Sequence, residues 1–127
     1  MHEENKAVIK ALVPVAWADG EFADKEKAML DALLAAYGAS QAESDELRSY
    51  AAEKRTLDDI ELHDLSAADR RVVLAHAVLL TFVDGNQADD EKAMLDSLAA
   101  KLKIPAEEAK QIVDQGTVRA QRYLNLL

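Results

Sequence analysis

Asp84-Gly85-Asn86-Gln87-Ala88-Asp89-Asp90-Glu91-Lys92-Ala93-Met94-Leu95-Asp96 repeats Asp19-Gly20-Glu21-Phe22-Ala23-Asp24-Lys25-Glu26-Lys27-Ala28-Met29-Leu30-Asp31 at ten of thirteen positions, 65 residues further along the chain. At the same offset Trp17 falls opposite Phe82 and Leu33 opposite Leu98. Each copy joins one apolar, helix-periodic stretch to another through an acidic Asp-Gly turn, so the repeated unit is helix, turn, helix. Two copies are too few for an open solenoid. Units at about 3–38 and 67–103 are expected to bury their faces against each other as a pseudo-twofold bundle.

Outward from these turns, the pattern stays helical. Ala7, Val8, Ala11, Leu12, Val15 and Ala16 fall at i, i+3, i+4, i+7 spacing and predict a helix from Glu3 to about Ala18. Pro14 removes one donor there and clashes with the Lys10 carbonyl, which predicts a kink or a break. Beyond Asp19-Gly20, Ala28, Met29, Ala32, Leu33, Ala36 and Tyr37 mark the face of a second helix that Gly38 ends. Ser40 and Glu43 form a capping box for a third helix burying Leu47, Tyr50 and Ala51. Thr56 to Leu65 predicts one or two helical turns. Ser66 and Asp69 open a helix whose apolar face is Val72, Val73, His76, Ala77, Leu79, Leu80 and Val83. A further helix spans about Asp89 to Leu102, and Pro105 is placed to start the last, which carries Ala109, Ile112, Val113, Ala120, Tyr123 and Leu124. The expectation is an all-α, compact helical bundle of six to seven helices forming one domain over 1–127.

Composition limits the chemistry. The chain has 127 residues, is half hydrophobic, carries a formal charge of −9 and has no cysteine. That length suffices for a core without disulfide or metal staples. Zero cysteines exclude a thiolate metal site and a cysteine nucleophile. The acidic balance, with no basic stripe interleaved with aromatics, argues against nucleic acid, whose binding rests on Lys and Arg. No apolar run approaches the roughly 20 residues a bilayer span needs, and Met1-His2-Glu3-Glu4 does not begin a signal peptide.

The two repeated stretches hold five acids each against two bases and one base, so they contribute −3 and −4 of the total −9. In Asp-Gly-x5-Glu the glycine allows a sharp bend, and carboxylates before and after it can converge. Asp19, Glu21, Asp24 and Glu26 in one copy, with Asp84, Asp89 and Glu91 in the other, are the candidate metal ligands. Hard divalent cations favour such oxygen clusters, calcium and magnesium before zinc and manganese. The Gly20/Glu26 and Gly85/Glu91 interval matches half of an EF-hand loop. A full EF-hand is excluded, because its first ligands would fall on Val15 and Trp17, or on Leu80 and Phe82.

Ala18-Asp19-Gly20-Glu21 with Glu26, and Val83-Asp84-Gly85 with Glu91, resemble the TerB-like family associated with bacterial tellurite resistance and stress operons. The resemblance covers nearly the whole chain in helix order and implies a small all-helical bundle with the two acidic motifs close together as a metal site. It also implies a cytoplasmic, non-enzymatic component of a stress-response assembly, working with protein partners that include membrane-associated ones. Ala23 and Ala88 stand where the family usually has Ser or Thr, and Asn86 replaces an acid, which implies a weaker second copy.

Ordinary roles compete with ligation. Aspartate in an Asp-Gly turn bonds its own backbone, and acids in a first helical turn offset the positive end of the dipole. Trp17, Phe82, Met29 and Met94 are expected to fill the core, as is His76. No nucleophile elbow, oxyanion nest or phosphate-binding glycine loop is present, so catalysis has little support. Three readings follow: a cation-binding interaction module, a metal-independent adaptor docking through its acidic face and, remotely, a hydrolase using a carboxylate-bound metal.

Overall fold

The computed structural model describes the backbone of residues 3–17, 24–81 and 89–126, and their side chains except those of 24–26, 79–81, 89–92 and 120–126. These residues form six α-helices and no strand: α1 (Glu3–Ala16), α2 (Asp24–Ala36), α3 (Gln41–Ala52), α4 (Ala67–Thr81), α5 (Asp89–Lys101) and α6 (Ala106–Leu126). Two short 3₁₀ turns, Leu57–Asp59 and Leu62–Asp64, bridge α3 and α4. The chain is a compact all-helical bundle.

Two apolar clusters hold it together, and α1 belongs to both. Val8, Ala11, Leu12 and Val15 pack with Val73, Leu74, Ala77 and Val78 of α4, Leu95, Leu98 and Leu102 of α5, and Ile60, Leu65, Ile104 and Ala109. On its other side, Ile9 and Val13 pack with Leu30, Leu34, Leu47 and Ala51. Seven consecutive or near-consecutive α1 residues, Val8 to Val15 without Lys10, are therefore buried. Each fully buried Leu or Ile contributes about 1.5–3 kcal/mol. The chain does not break at Pro14: α1 runs through it, and the Trp17 N–H still donates to the Val13 carbonyl at 3.1 Å. Standing in the last turn, the proline forfeits one helical bond and is compensated by burial.

Some faces differ from the periodicity reading. On α2 the buried residues are Leu30 and Leu34, flanked by half-buried Met29, Leu33 and Tyr37, while Ala28, Ala32 and Ala36 are exposed. Three alanines in register mimic an apolar stripe, but the larger leucines gain more by burial and set the helix rotation. On α4, Val72 is 37% exposed while Val73, Leu74, Ala77 and Val78 are fully buried. The predicted positions Leu79, Leu80, Val83, Ala120, Tyr123 and Leu124 have no described side chain.

Helix ends follow local rules. The Ser40 hydroxyl accepts from the Glu43 N–H at 3.2 Å and the Glu43 carboxylate accepts from the Ser40 N–H at 2.9 Å, completing the capping box. The Ser66 hydroxyl accepts from the Asp69 N–H at 3.1 Å. Pro105 stands just before α6, whose first helical bond runs from the Ala109 N–H to its carbonyl at 2.9 Å. The helices α2 and α5 begin 65 residues apart and end 65 apart, and α3 and α6 begin 65 apart. Their closing residues Gly38 (φ 69°) and Lys103 (φ 57°) are both left-handed, and Ala39 to Leu34 and Ile104 to Ala99 make the same N–H to carbonyl bond across them, at 3.0 and 3.2 Å.

Candidate functional site

Asp24 and Glu26 lie in the first turn of α2, and Asp89 and Glu91 in the first turn of α5, at equivalent helical positions. Asp19, Glu21 and Asp84 lie outside the described residues, and the side chains of all seven candidate ligands are outside them too. First-turn acids face the positive end of the helix dipole, an arrangement that favours negative charge with or without a cation. Among the described residues no group of three or more His, Asp or Glu side chains is placed to hold a metal ion.

Several described bases are turned toward acids elsewhere. Lys6 and Lys10 of α1 reach Glu46 of α3 at 3.1 and 3.8 Å, and the Glu46 hydrogen bond raises the Lys6 pKa. Arg48 of α3 donates to Asp31 of α2 at 3.0 Å, tying those helices. Arg71 of α4 grips Glu108 of α6 through two nitrogens, Nη2 at 2.9 Å from Oε1 and Nε on Oε2. That guanidinium holds the Glu108 carboxyl below its usual range. Arg70 donates to the Leu65 and Leu62 carbonyls at 3.3 and 3.0 Å, fastening the 3₁₀ segment to α4.

Two concavities are lined by described residues. One, about 350 Å³, lies between α1, the end of α3 and the 3₁₀ turns. Here the Tyr50 ring has Arg55 Cζ 3.8 Å and Lys10 Nζ 5.4 Å from its centroid, with Asp58, Asp59, Glu61 and Asp64 around the rim. Asp59 is already committed to the Thr56 N–H at 2.8 Å. The Tyr50 hydroxyl pKa is raised, chiefly by burial. Tyr50 is thus half-buried with two cations over its ring, a role its place on an apolar stripe does not signal.

The second concavity, about 750 Å³, opens between α5 and α6 over Leu95, Ala99, Ile104, Ala109 and Val113, with Asp96, Lys110 and Asp114 at its edge. Periodicity places Ala109 and Val113 on the apolar face of α6, where Ala109 is buried and Val113 half-buried; that they also floor an open groove depends on the spacing of two helices. His76 is half-buried and its pKa is lowered by desolvation. His63 is exposed, 3.7 Å from Glu61 and 3.5 Å from Asp64. Trp17 donates its indole N–H to the Ala51 carbonyl at 2.9 Å, joining the ends of α1 and α3.

Comparison with protein-family models, curated proteins and solved structures finds no match to this chain. Among the described residues no helix is long and apolar enough to cross a membrane.

Proposed function

We propose that this protein is a non-enzymatic stress-response module whose duplicated acidic turns bind a divalent cation, calcium or magnesium in preference to manganese or zinc, and so set the angle of the helices that follow. Binding to protein partners is the output. The observation that carries the reading is the second copy of Asp-Gly-x5-Glu, with ten of thirteen residues kept, each copy leading into a helix of equal length. A turn needed only to reverse the chain would tolerate many sequences. The TerB-like resemblance extends the reading to a cytoplasmic, tellurite-resistance-associated assembly with membrane-associated members. An oxyanion would be repelled by these turns, so any effect on tellurite is indirect.

Titration with calcium, magnesium, manganese and zinc, followed by amide chemical shifts, tests the proposal. Shifts confined to 19–26 and 84–91, and abolished by Asp19→Asn with Asp84→Asn, are expected. Silence at millimolar cation supports the second reading, a metal-independent adaptor. That reading is favoured by the first-turn position of Asp24, Glu26, Asp89 and Glu91, where acids stabilise a helix without an ion.

A further inference from the structure

The α2/α3 and α5/α6 pairs share an offset of 65 residues, and at that offset they differ where their seams open outward. Asp31 and its counterpart Asp96 are both exposed aspartates in the repeated stretch. Across from Asp31, Arg48 closes the α2/α3 seam with its 3.0 Å bond, its Nη1 lying 4.0 Å from Asp45. The residue 65 positions beyond Arg48 is Val113, which has no charge to offer. Ala99 likewise stands where the first pair has Leu34, a loss of bulk. In consequence Asp96 makes no ion pair or side-chain hydrogen bond among the described residues, nor does Asp114, and the seam between α5 and α6 is the 750 Å³ groove with an apolar floor.

We propose that the α5/α6 groove is the docking site for an amphipathic helical segment of a partner protein, its apolar side chains on Ala99, Ile104 and Val113 and an Arg or Lys taking toward Asp96 the place that Arg48 takes toward Asp31. The volume suits a few large side chains, and Asp96 and Asp114, without an ion pair among the described residues, outnumber Lys110 at the apolar edge and so complement a basic amphipathic helix. The net charge of −9 attracts such a segment from a distance. This inference uses only the partner-binding half of the proposed function. It needs no cation in the acidic turns, so a failed cation titration leaves it standing.

A displayed library of short random peptides, selected on the whole protein and counter-selected on Val113→Arg, tests it. The variant supplies the missing guanidinium from within and closes the seam. Selected peptides should combine Leu, Ile or Phe at helical spacing with Arg or Lys, and shift the amides of 95–117. Their affinity should fall roughly tenfold or more on Val113→Arg, through steric exclusion and lost charge. Asp96→Asn, which touches only an exposed carboxylate, should weaken binding roughly threefold, the scale of an edge ion pair. Asp96→Asn should melt as the parent does, and Val113→Arg, at a half-buried position packed on the apolar cluster, should keep the parent's amide pattern outside 95–117 even as its midpoint falls. Peptides without basic residues, binding unchanged by either variant, or shifts elsewhere would overturn the proposal. So would self-association of the free chain that Val113→Arg abolishes, because the groove would then belong to a second copy.

Discussion

Residues 3–52 and 68–117 can be read against each other in sequence at an offset of 65, and the places where they disagree say more than those where they agree. Both contain three helices, and α2 and α5 close through a left-handed residue. The first half is finished with polar clasps: the Ser40–Glu43 box, the Trp17 indole on the Ala51 carbonyl, and Arg48 on Asp31. In the second, the matching residues are Pro105, Phe82 and Val113, none with an N–H or hydroxyl that could repeat those bonds from its side chain. It is secured instead by apolar packing and by Arg71 reaching Glu108. One half is latched shut, and the other is open along one seam.

The largest expected effect contrasts Leu98 with Leu33, which share the repeat position but not its burial. Leu98 is fully buried and Leu33 only partly. Leu98→Ala should cost about 2–5 kcal/mol in urea unfolding and Leu33→Ala roughly half as much. Equal losses would show that the halves share one level of packing. Next is Gly116, whose counterpart is Ala51. A Cβ at Gly116 would sit 2.8 Å from Cγ1 of Val78, so the α4–α6 approach depends on its absence. Gly116→Ala should destabilise by about 1–2 kcal/mol, overpacking outweighing the better helix propensity. Val78→Ala removes Cγ1 and Cγ2 but leaves Cβ 3.0 Å away, so the double variant should recover only part of this loss.

A smaller, opposite-signed pair lies at the left-handed positions. Nothing lies within 4 Å of a Cβ on Gly38, so Gly38→Ala exposes the backbone strain alone, about 1 kcal/mol. Lys103 already bears that strain, and Lys103→Gly should gain roughly 0.5–1 kcal/mol. Smallest is His76, whose counterpart is Ala11. Burial lowers its folded pKa below the ordinary 6.5, so as pH falls from 6.5 through that lowered value the unfolded chain binds more protons than the folded one. Stability from neutral His76 is present above 6.5 and lost across that window. His76→Ala should flatten the wild-type decline there, measured as the difference between the two urea midpoints against pH.

Helix positions, the Ser40 box, the Ser66 cap and the stop at Gly38 were legible because each rests on a few neighbouring residues with a local physical cause. The second face of α1 was not. A search for one stripe finds Val8, Leu12 and Val15, but Ile9 and Val13 become meaningful only when a helix is covered from two sides. The α2 rotation was missed because three alanines match leucines in hydropathy class but not in area. At the candidate site, the first-turn positions of Asp24, Glu26, Asp89 and Glu91 followed from the helix starts. The α5/α6 groove did not, because repeat detection rewards what is kept, such as Asp96, whereas the groove arises from what changed. Val113 gains significance only once Arg48 is seen holding Asp31.

Because α1 lines both apolar clusters, it is a party wall: neither room can be emptied without removing a side of the other. Melting the α2–α3 side would bare Ile9 and Val13, and melting the α4–α5 side would bare Leu12 and Val15. The chain should therefore lose its structure in a single cooperative step despite its bipartite sequence, with α1 amides among the slowest to exchange with deuterium. A fragment ending before α4 would inherit the wall with one side exposed to water.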